Sequence, residues 1–384
     1  MRLIFLIISQ ILFVGSLVAQ TFTLGDWSNG EVLISELSPA VGTKADFALY
    51  VDGDLVDPEI FNVAKSDGSD IRVTLADSIT EIPYMLENWN VDSTWFDLWC
   101  KKSVTHNIRD TIIIWYGNAL AAAYDSSDTY GSHATCSDFE FVHLYNTDHD
   151  SIANAYANSA GTNYWSDSAS TSYAEQSPDV PLTNKLIGPD TAKAKVSIPL
   201  IDIPANDRTV MMFTRVNTTD LTGSTTVWEQ RDIAAGDPAR LRIIWNANND
   251  RIQFTQNNGS WQTSAPSNNT LPSANEWHLV SVHIDDTAPS VTEIRYDGVS
   301  QSLAVNNFGT GYVAPTGDAV PTLLNSSNGQ VDIESIWVCN TNLNQNQTTR
   351  YYNNHVDHDN YWTYGGTFEM PSTNTDNLNF INIY

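Results

Sequence analysis

The sequence predicts an all-β protein built from two modules, a small β-sandwich followed by a larger β-sandwich of the jelly-roll kind. Three observations carry this. Short apolar and β-branched runs recur along the chain, bounded by turn clusters such as Asn246-Ala247-Asn248-Asn249-Asp250 and Asp297-Gly298-Val299-Ser300. Helical periodicity is almost absent. A polar stretch from Asp125 to Ser137, without periodicity, divides two strand-rich regions. With 384 residues the chain is long enough for two domains and a sizeable core.

Taken in order, residues 1–19 read as a secretory signal. Arg2 supplies the positive start, Leu3 to Val18 is mostly apolar, and Ala19-Gln20 is a plausible cleavage junction. A retained anchor is the minority alternative. No later stretch is apolar enough to span a bilayer, so the mature protein is expected to be exported and not inserted in a membrane. Residues 20–124 form the first module. They begin with a lead-in whose Val32 to Leu37 run adds a strand, followed by Asp67-Gly68-Ser69-Asp70, with turn chemistry and oxygen acceptors. Thr94 to Trp99 and Thr111 to Tyr116 are strand runs ending in turns. Residues 125–137 read as the linker and 138–345 as the second module. Its strands are expected at Val196 to Ile203, Thr209 to Val216, Thr226 to Glu229, Leu241 to Trp245, Arg251 to Thr255, Trp277 to Ile284, Thr292 to Tyr296 and Val331 to Cys339. Residues 346–384 are an Asn-rich, aromatic tail that either packs back on the sandwich or meets a partner.

Two resemblances sharpen this outline. The order Ser66-Asp67-Gly68-Ser69-Asp70-Ile71-Arg72, Ile82-Pro83-Tyr84-Met85-Leu86-Glu87-Asn88-Trp89, an aromatic strand and Ile112-Ile113-Ile114-Trp115-Tyr116-Gly117-Asn118 resembles the secreted β-module called domain of unknown function 2341. The likeness spans about Ala45 to Tyr124. It implies that a concanavalin A-like jelly roll of the LamG type follows. The segments from Asn275-Glu276-Trp277-His278, Tyr296-Asp297-Gly298 and Val331-Asp332-Ile333-Glu334 resemble the second half of such a domain. The closing strand departs from that pattern, because Glu334-Ser335 stands where the family has Asp-Glu.

Charge and cysteine content narrow the partners. Forty-five acidic residues against 18 basic ones give a formal net charge of −27. Nucleic acid and anionic membrane surfaces are therefore poor partners. Cys100, Cys136 and Cys339 fit no zinc spacing. Their odd number in an exported chain allows one disulfide, with Cys100–Cys136 the pair closest in sequence, or an intermolecular bridge.

Catalytic motifs are missing from the sequence. A retaining glycosidase would set two carboxylates about 5 Å apart along a strand, and Asp332-Ile333-Glu334 lacks the flanking glutamates of that arrangement. Binding motifs are richer. Calcium takes about six to eight oxygen ligands, and Asn146, Asp148 and Asp150 form an oxygen-rich loop suited to Ca2+. His355 to Asp359 is a weaker zinc candidate. Sugars stack on exposed aromatic rings while Asn, Asp and Gln hold their hydroxyls. Tyr164, Trp165 and Asp167, in one polar loop, and Trp261 fit that chemistry. By contrast, Trp95, Trp115, Trp245 and Trp337 lie in strand runs and are expected in the core. The function expected is thus a secreted, non-catalytic protein that binds polysaccharide or glycoprotein glycans. A self-associating subunit of an appendage, fibre or virion is the first alternative, and a glycoside hydrolase with an unfamiliar site is the second.

Overall fold

The computed structural model describes residues 22–37, 44–105, 108–144, 341–356 and 358–370; between 145 and 340 it describes the strands and a few flanking positions. The class is the expected one: almost all regular structure is antiparallel β, arranged as stacked sheets. Among the described residues no helix is long and apolar enough to cross a membrane.

Among the described residues the first module holds six strands: β1 (Asn29–Ser35), β2 (Lys44–Asp52), β3 (Arg72–Leu75), β4 (Tyr84–Asn90), β5 (Trp95–Val104) and β6 (Thr111–Tyr116). One sheet orders β2, β5 and β4; the other places β1, β6 and β3 side by side. The two-residue period of β6 explains why it is apolar throughout. Ile112, Ile114 and Tyr116 enter the main core. Ile113 and Trp115 enter a second cluster on the opposite face, where Trp27 and Val32 meet them and Phe22 packs alongside.

The second module pairs two large antiparallel sheets. One runs Val299–Gln301, Ser290–Tyr296, Trp277–Asp285, Arg208–Val216 and Val331–Cys339, and Phe139–Leu144 also pairs with that last strand. The other contains seven strands, from Lys193–Ile198 at one edge to Leu303–Asn306 at the other. The Tyr296-Asp297-Gly298 hairpin is tied to the Trp-His strand. Asp297 accepts the Leu279 N–H at 2.9 Å and meets His278 Nδ1 at 2.8 Å. Burial opposes protonation of His278, but the Asp297 carboxylate overrides it and leaves the imidazole pKa above its usual value.

The C-terminal region joins the modules. A helix, Gln345–Val356, and a strand, Trp362–Glu369, occupy much of the stretch expected as a tail. The strand extends the first module's sheet by pairing antiparallel with β1, from Asn29 opposite Glu369 to Ser35 opposite Trp362. The helix lies where the modules meet. Its Tyr351 ring stacks on Phe47 of β2 at 4.1 Å, and its His355 ring stacks on Phe213 of the second module at 4.8 Å. Gly298 makes room for it, since a Cβ there would fall 2.4 Å from the Thr349 Cα. One hydrophobic cluster therefore runs through both modules, from Leu49 and Trp99 to Phe139, Leu279 and Trp337.

Polar bonds fix this junction. β2 is an edge strand, so alternate backbone groups on its outer side need partners. Asn354 supplies them: its Oδ1 accepts the Tyr50 N–H at 2.6 Å and its Nδ2 donates to the Tyr50 carbonyl at 2.9 Å. Trp362 Nε1 donates to that same carbonyl at 2.6 Å.

The segment 125–137, whose polarity suggests a linker, also packs. The Tyr84 N–H donates to the Tyr130 carbonyl at 3.1 Å, Ser132–Thr135 makes a helical turn, and Cys136 is buried. The disulfide expectation is corrected. Cys100, Cys136 and Cys339 are all buried thiols, and no disulfide joins any two of them. Burial pushes the Cys100 and Cys136 thiols up to about 12, so neither forms the reactive thiolate near neutral pH.

Candidate functional site

The Asp67-to-Asp70 turn is both scaffold and pocket wall. Asp70 is fully buried, and its carboxylate accepts the N–H groups of Lys65 at 2.8 Å, Gly117 at 2.8 Å and Asn118 at 3.1 Å. One side chain thus gathers the turn, the segment before it and the end of β6. Arg72, also fully buried, donates to the carbonyls of Ser69, Ile71 and Ala122 and lies 3.6 Å from Glu81. Its guanidinium covers the Tyr124 ring at 4.1 Å from the centroid. Asp67 accepts the Ser69 N–H at 3.0 Å, the bond that shapes an Asx turn. Gly68 has φ of 67°, and a Cβ there would lie 2.8 Å from both Leu86 Cδ2 and Trp89 Cδ2. Only glycine lets the turn lie against β4.

Between this turn, β4 and the segment 123–132 lies an open pocket of about 230 Å³. Asp67 and Glu87 bring carboxylates to it, Ser126 and Ser132 bring hydroxyls, and Tyr124 brings a half-buried ring, while the Ser69 hydroxyl is buried behind the wall. The ring is held in place: the Tyr124 hydroxyl donates to Glu81 at 2.8 Å, and Tyr84 and Tyr130 lie against it with centroids 6.1 and 5.8 Å away. Burial raises the Glu81 pKa, and Tyr124 and Arg72 oppose that rise. The set offers hydrogen-bond acceptors, reversible hydroxyl donors and an aromatic surface, which together suit a ligand bearing several hydroxyl groups. At this size the pocket falls below the roughly 300–1,000 Å³ of drug-sized sites and fits a single small ring.

The acids with pKa values near neutrality lie elsewhere. Burial pushes Glu31 and Asp97 up to about 7, the range of a general acid. Asp97 is sealed in the core, accepting from the Tyr50 hydroxyl at 2.6 Å and Asn88 Nδ2 at 2.7 Å, with Asp52 opposite it across the β2–β5 ladder. Glu31 is likewise buried, accepting from the Asp57 N–H at 3.0 Å and the Tyr116 hydroxyl at 3.2 Å. Neither residue lines the pocket.

The residues singled out from the sequence fall as follows. Tyr164, Trp165 and Asp167 lie outside the described residues, as do Asn146, Asp148 and Asp150. Trp261 opens a strand, Trp261–Pro266, opposite Asn257, while its side chain lies outside the described set. Among the described residues no three His, Cys, Asp or Glu side chains converge as metal ligands. In the zinc candidate, His355 faces Tyr351 O at 2.9 Å and takes the Trp99 Nε1–H at 3.3 Å, so both ring nitrogens are engaged inside the core. Burial lowers its pKa to about 3. His358 meets Asp52 at 3.0 Å and the His355 carbonyl at 3.2 Å. Trp115, Trp245 and Trp337 are core residues, whereas Trp95 is half-buried. No periodic signal in the sequence marks Glu87, Tyr124, Ser126 or Ser132 as pocket residues.

The pocket's lining residues all fall inside one family match. Residues 67–168 match the family model described as Domain of unknown function (DUF2341). The match opens at Asp67, later than the Ala45 expected, and runs beyond Tyr124 to take in the 123–132 wall. No curated protein matches the chain. Among solved structures, the botulinum neurotoxin serotype D ligand binding domain in complex with N-acetylneuraminic acid is similar at 10% identity and a TM-score of 0.43, covering 58% of this chain and 52% of that one. A botulinum neurotoxin DC binding domain in complex with rat synaptotagmin II is similar at 14% identity and a TM-score of 0.41, covering 56% and 52%. Trypanosoma rangeli sialidase in complex with the inhibitor DANA gives 10% identity and a TM-score of 0.40, covering 66% and 42%. The chain thus spans about half the length, or less, of each of these structures.

Proposed function

We propose that this chain is a secreted, non-catalytic carbohydrate-binding protein whose first module seats a sugar unit between Asp67, Glu87 and Tyr124. The observation that carries the reading is the pocket's chemistry: two carboxylates, two serine hydroxyls and an anchored tyrosine ring around a space suited to one small ring. Binding is favoured over hydrolysis because the two carboxyls raised to about 7 are locked in core hydrogen bonds away from it. The LamG-type relationship of the second module belongs to the same proposal, and the bond from Asp297 of the hairpin to the Trp277-His278 strand supports it. Ca2+ at Asn146, Asp148 and Asp150, and further sugar contacts from Tyr164, Trp165, Asp167 and Trp261, complete the proposal. A glycan array probed with and without EDTA tests it. Calcium-independent binding would remove the metal and keep the sugar, whereas silence in both conditions would overturn the function.

One observation favours self-association as a second reading. The strand Trp362–Glu369 ends its sheet, with no partner on its outer edge among the described residues, and such edges recruit further strands. Sizing at high concentration tests this; a strict monomer would contradict it.

A further inference from the structure

A second cavity, of about 500 Å³, opens where β5 ends and β6 begins. Its volume lies within the roughly 300–1,000 Å³ typical of small-molecule sites. It gathers cationic side chains in a molecule that has few. Only 18 of 384 residues are Lys or Arg, yet Lys102 and Arg109 both line this space.

Asp77 and Asp110 line the cavity too and match those two cations in number, but Arg350, paired with Asp110, leaves the surroundings one positive charge in excess. Asp110 is buried between two cations, Lys102 Nζ at 2.7 Å and the Arg350 guanidinium arriving from the bridging helix, so this trio carries a net positive charge. The Lys102 side chain is 11% exposed and the Asp110 side chain 4%. Asp77 accepts the N–H groups of Ile79 and Thr80 at 3.0 and 2.8 Å and the Thr80 hydroxyl besides, which stabilises its negative charge within its own turn. Arg109 is exposed. Its Nη1 donates to the Ser35 carbonyl at 3.1 Å, which orients a guanidinium that carries five donors in all. Ser103 adds an exposed hydroxyl, and Ile108, 54% exposed, adds an apolar surface.

We infer that this cavity binds an anionic sugar unit, with Arg109 and Lys102 holding a carboxylate or sulfate group while Ser103 and Ile108 meet the ring. Arginine receives such oxyanions through paired N–H donors, and a partly buried lysine supplies a point charge beside it. The net charge of −27 repels extended polyanions, which favours a short ligand over nucleic acid. The site is separate from the Asp67 pocket and stands or falls independently of it.

The test is titration calorimetry on the full chain with three probes: a tetragalacturonate, a sulfated galactan tetrasaccharide and a neutral galactotetraose. At least one anionic probe is expected to bind at least ~10-fold more tightly than the neutral one, with affinity falling as salt is raised. Preference for one anionic probe identifies its group as the ligand chemistry. Arg109→Ala should weaken that binding about 10-fold. Ser103→Glu, which places a negative charge at an exposed position and leaves the core intact, should weaken it at least as much. Asp92→Asn, at an exposed position outside both cavities, should leave it unchanged. Equal affinity for neutral and anionic probes, no binding of either anion, or indifference to both Arg109→Ala and Ser103→Glu would overturn the inference.

Discussion

Replacing Asn354 with leucine probes the join between the modules at one side chain. The two side chains share a branched heavy-atom skeleton, so the change removes polarity while placing methyl groups where the amide atoms stood. Asn354 is fully buried and makes both of its main-chain bonds to Tyr50, at 2.6 and 2.9 Å. The Tyr50 carbonyl keeps Trp362 Nε1 as a donor, but the Tyr50 N–H loses the acceptor that Asn354 gives it. An intramolecular hydrogen bond contributes about 0.5–1.5 kcal/mol net, and an orphaned buried donor costs about 1–3 kcal/mol. Asn354→Leu should therefore destabilise the protein by about 3 kcal/mol. Trp362→Phe, which removes one donor from a carbonyl that keeps Asn354 and leaves some space in the core, should cost about 1–3 kcal/mol. Urea unfolding followed by tryptophan fluorescence measures both. Because the core is continuous, the transition should remain single and move to lower urea. A loss below about 0.5 kcal/mol for Asn354→Leu, or a variant in which only the C-terminal region melts, would refute the reasoning.

Three further outcomes follow from the structure. The native protein should be inert to a thiol reagent and release three thiols on unfolding; release of one would mean that a disulfide exists after all. Asp97, raised in the fold from an ordinary 3.8 to about 7, binds its proton more tightly when folded, so its stabilising contribution is full below about pH 4 and lost as pH rises through 7. His355, lowered to about 3, acts oppositely: its contribution is present above about pH 6.5 and lost as pH falls toward 3. Asp97→Asn should thus gain stability relative to the parent between about pH 4 and 8, by up to roughly 4 kcal/mol, and a pH-independent difference in urea midpoints would contradict the assignment. Gly68→Ala should cost about 1–3 kcal/mol through its positive φ and its clash with Leu86 and Trp89, and should weaken sugar binding with it; unchanged stability would show that the turn does not need glycine.

Many strands of the second module are legible in the sequence between turn clusters, whereas others, such as Trp261–Pro266, Leu303–Asn306 and Val320–Asn325, are too short or too polar to stand out. Val331 to Cys339 matches the observed strand end to end, and Thr209 to Val216 misses it by one residue. The bridging helix is not. Its buried positions are Thr348, Arg350, Tyr351, Asn354 and His355, spaced as a helical face but mostly polar, so a search for apolar periodicity passes over them. A different signal is present. Asn344 and Gln347 form a reciprocal cap, the Gln347 N–H donating to Asn344 Oδ1 at 3.0 Å and the Asn344 N–H to Gln347 Oε1 at 2.9 Å. That Asn-x-x-Gln pattern is a helix-start signature readable from sequence. The pocket is half legible. Asp67 and Gly68 stand out as a turn, but Glu87, Tyr124 and Ser132 reach it through the pairing of β4 and the packing of 123–132, which local pattern does not encode. Cys136 suggests a tether for a linker, whereas the segment is held by main-chain bonds and burial instead.

The most direct test of carbohydrate binding in the first module is a glycan-array screen of the full chain beside its Asp67→Asn/Glu87→Gln double variant. An asparagine at position 67 would retain an acceptor for the Ser69 N–H, so the turn should hold while both charges leave the pocket. The parent should bind a discrete set of glycans, and the double variant, equally folded, should bind them at least ~10-fold more weakly. A parent that binds nothing, or a variant that binds as well as the parent, would contradict carbohydrate binding at this pocket.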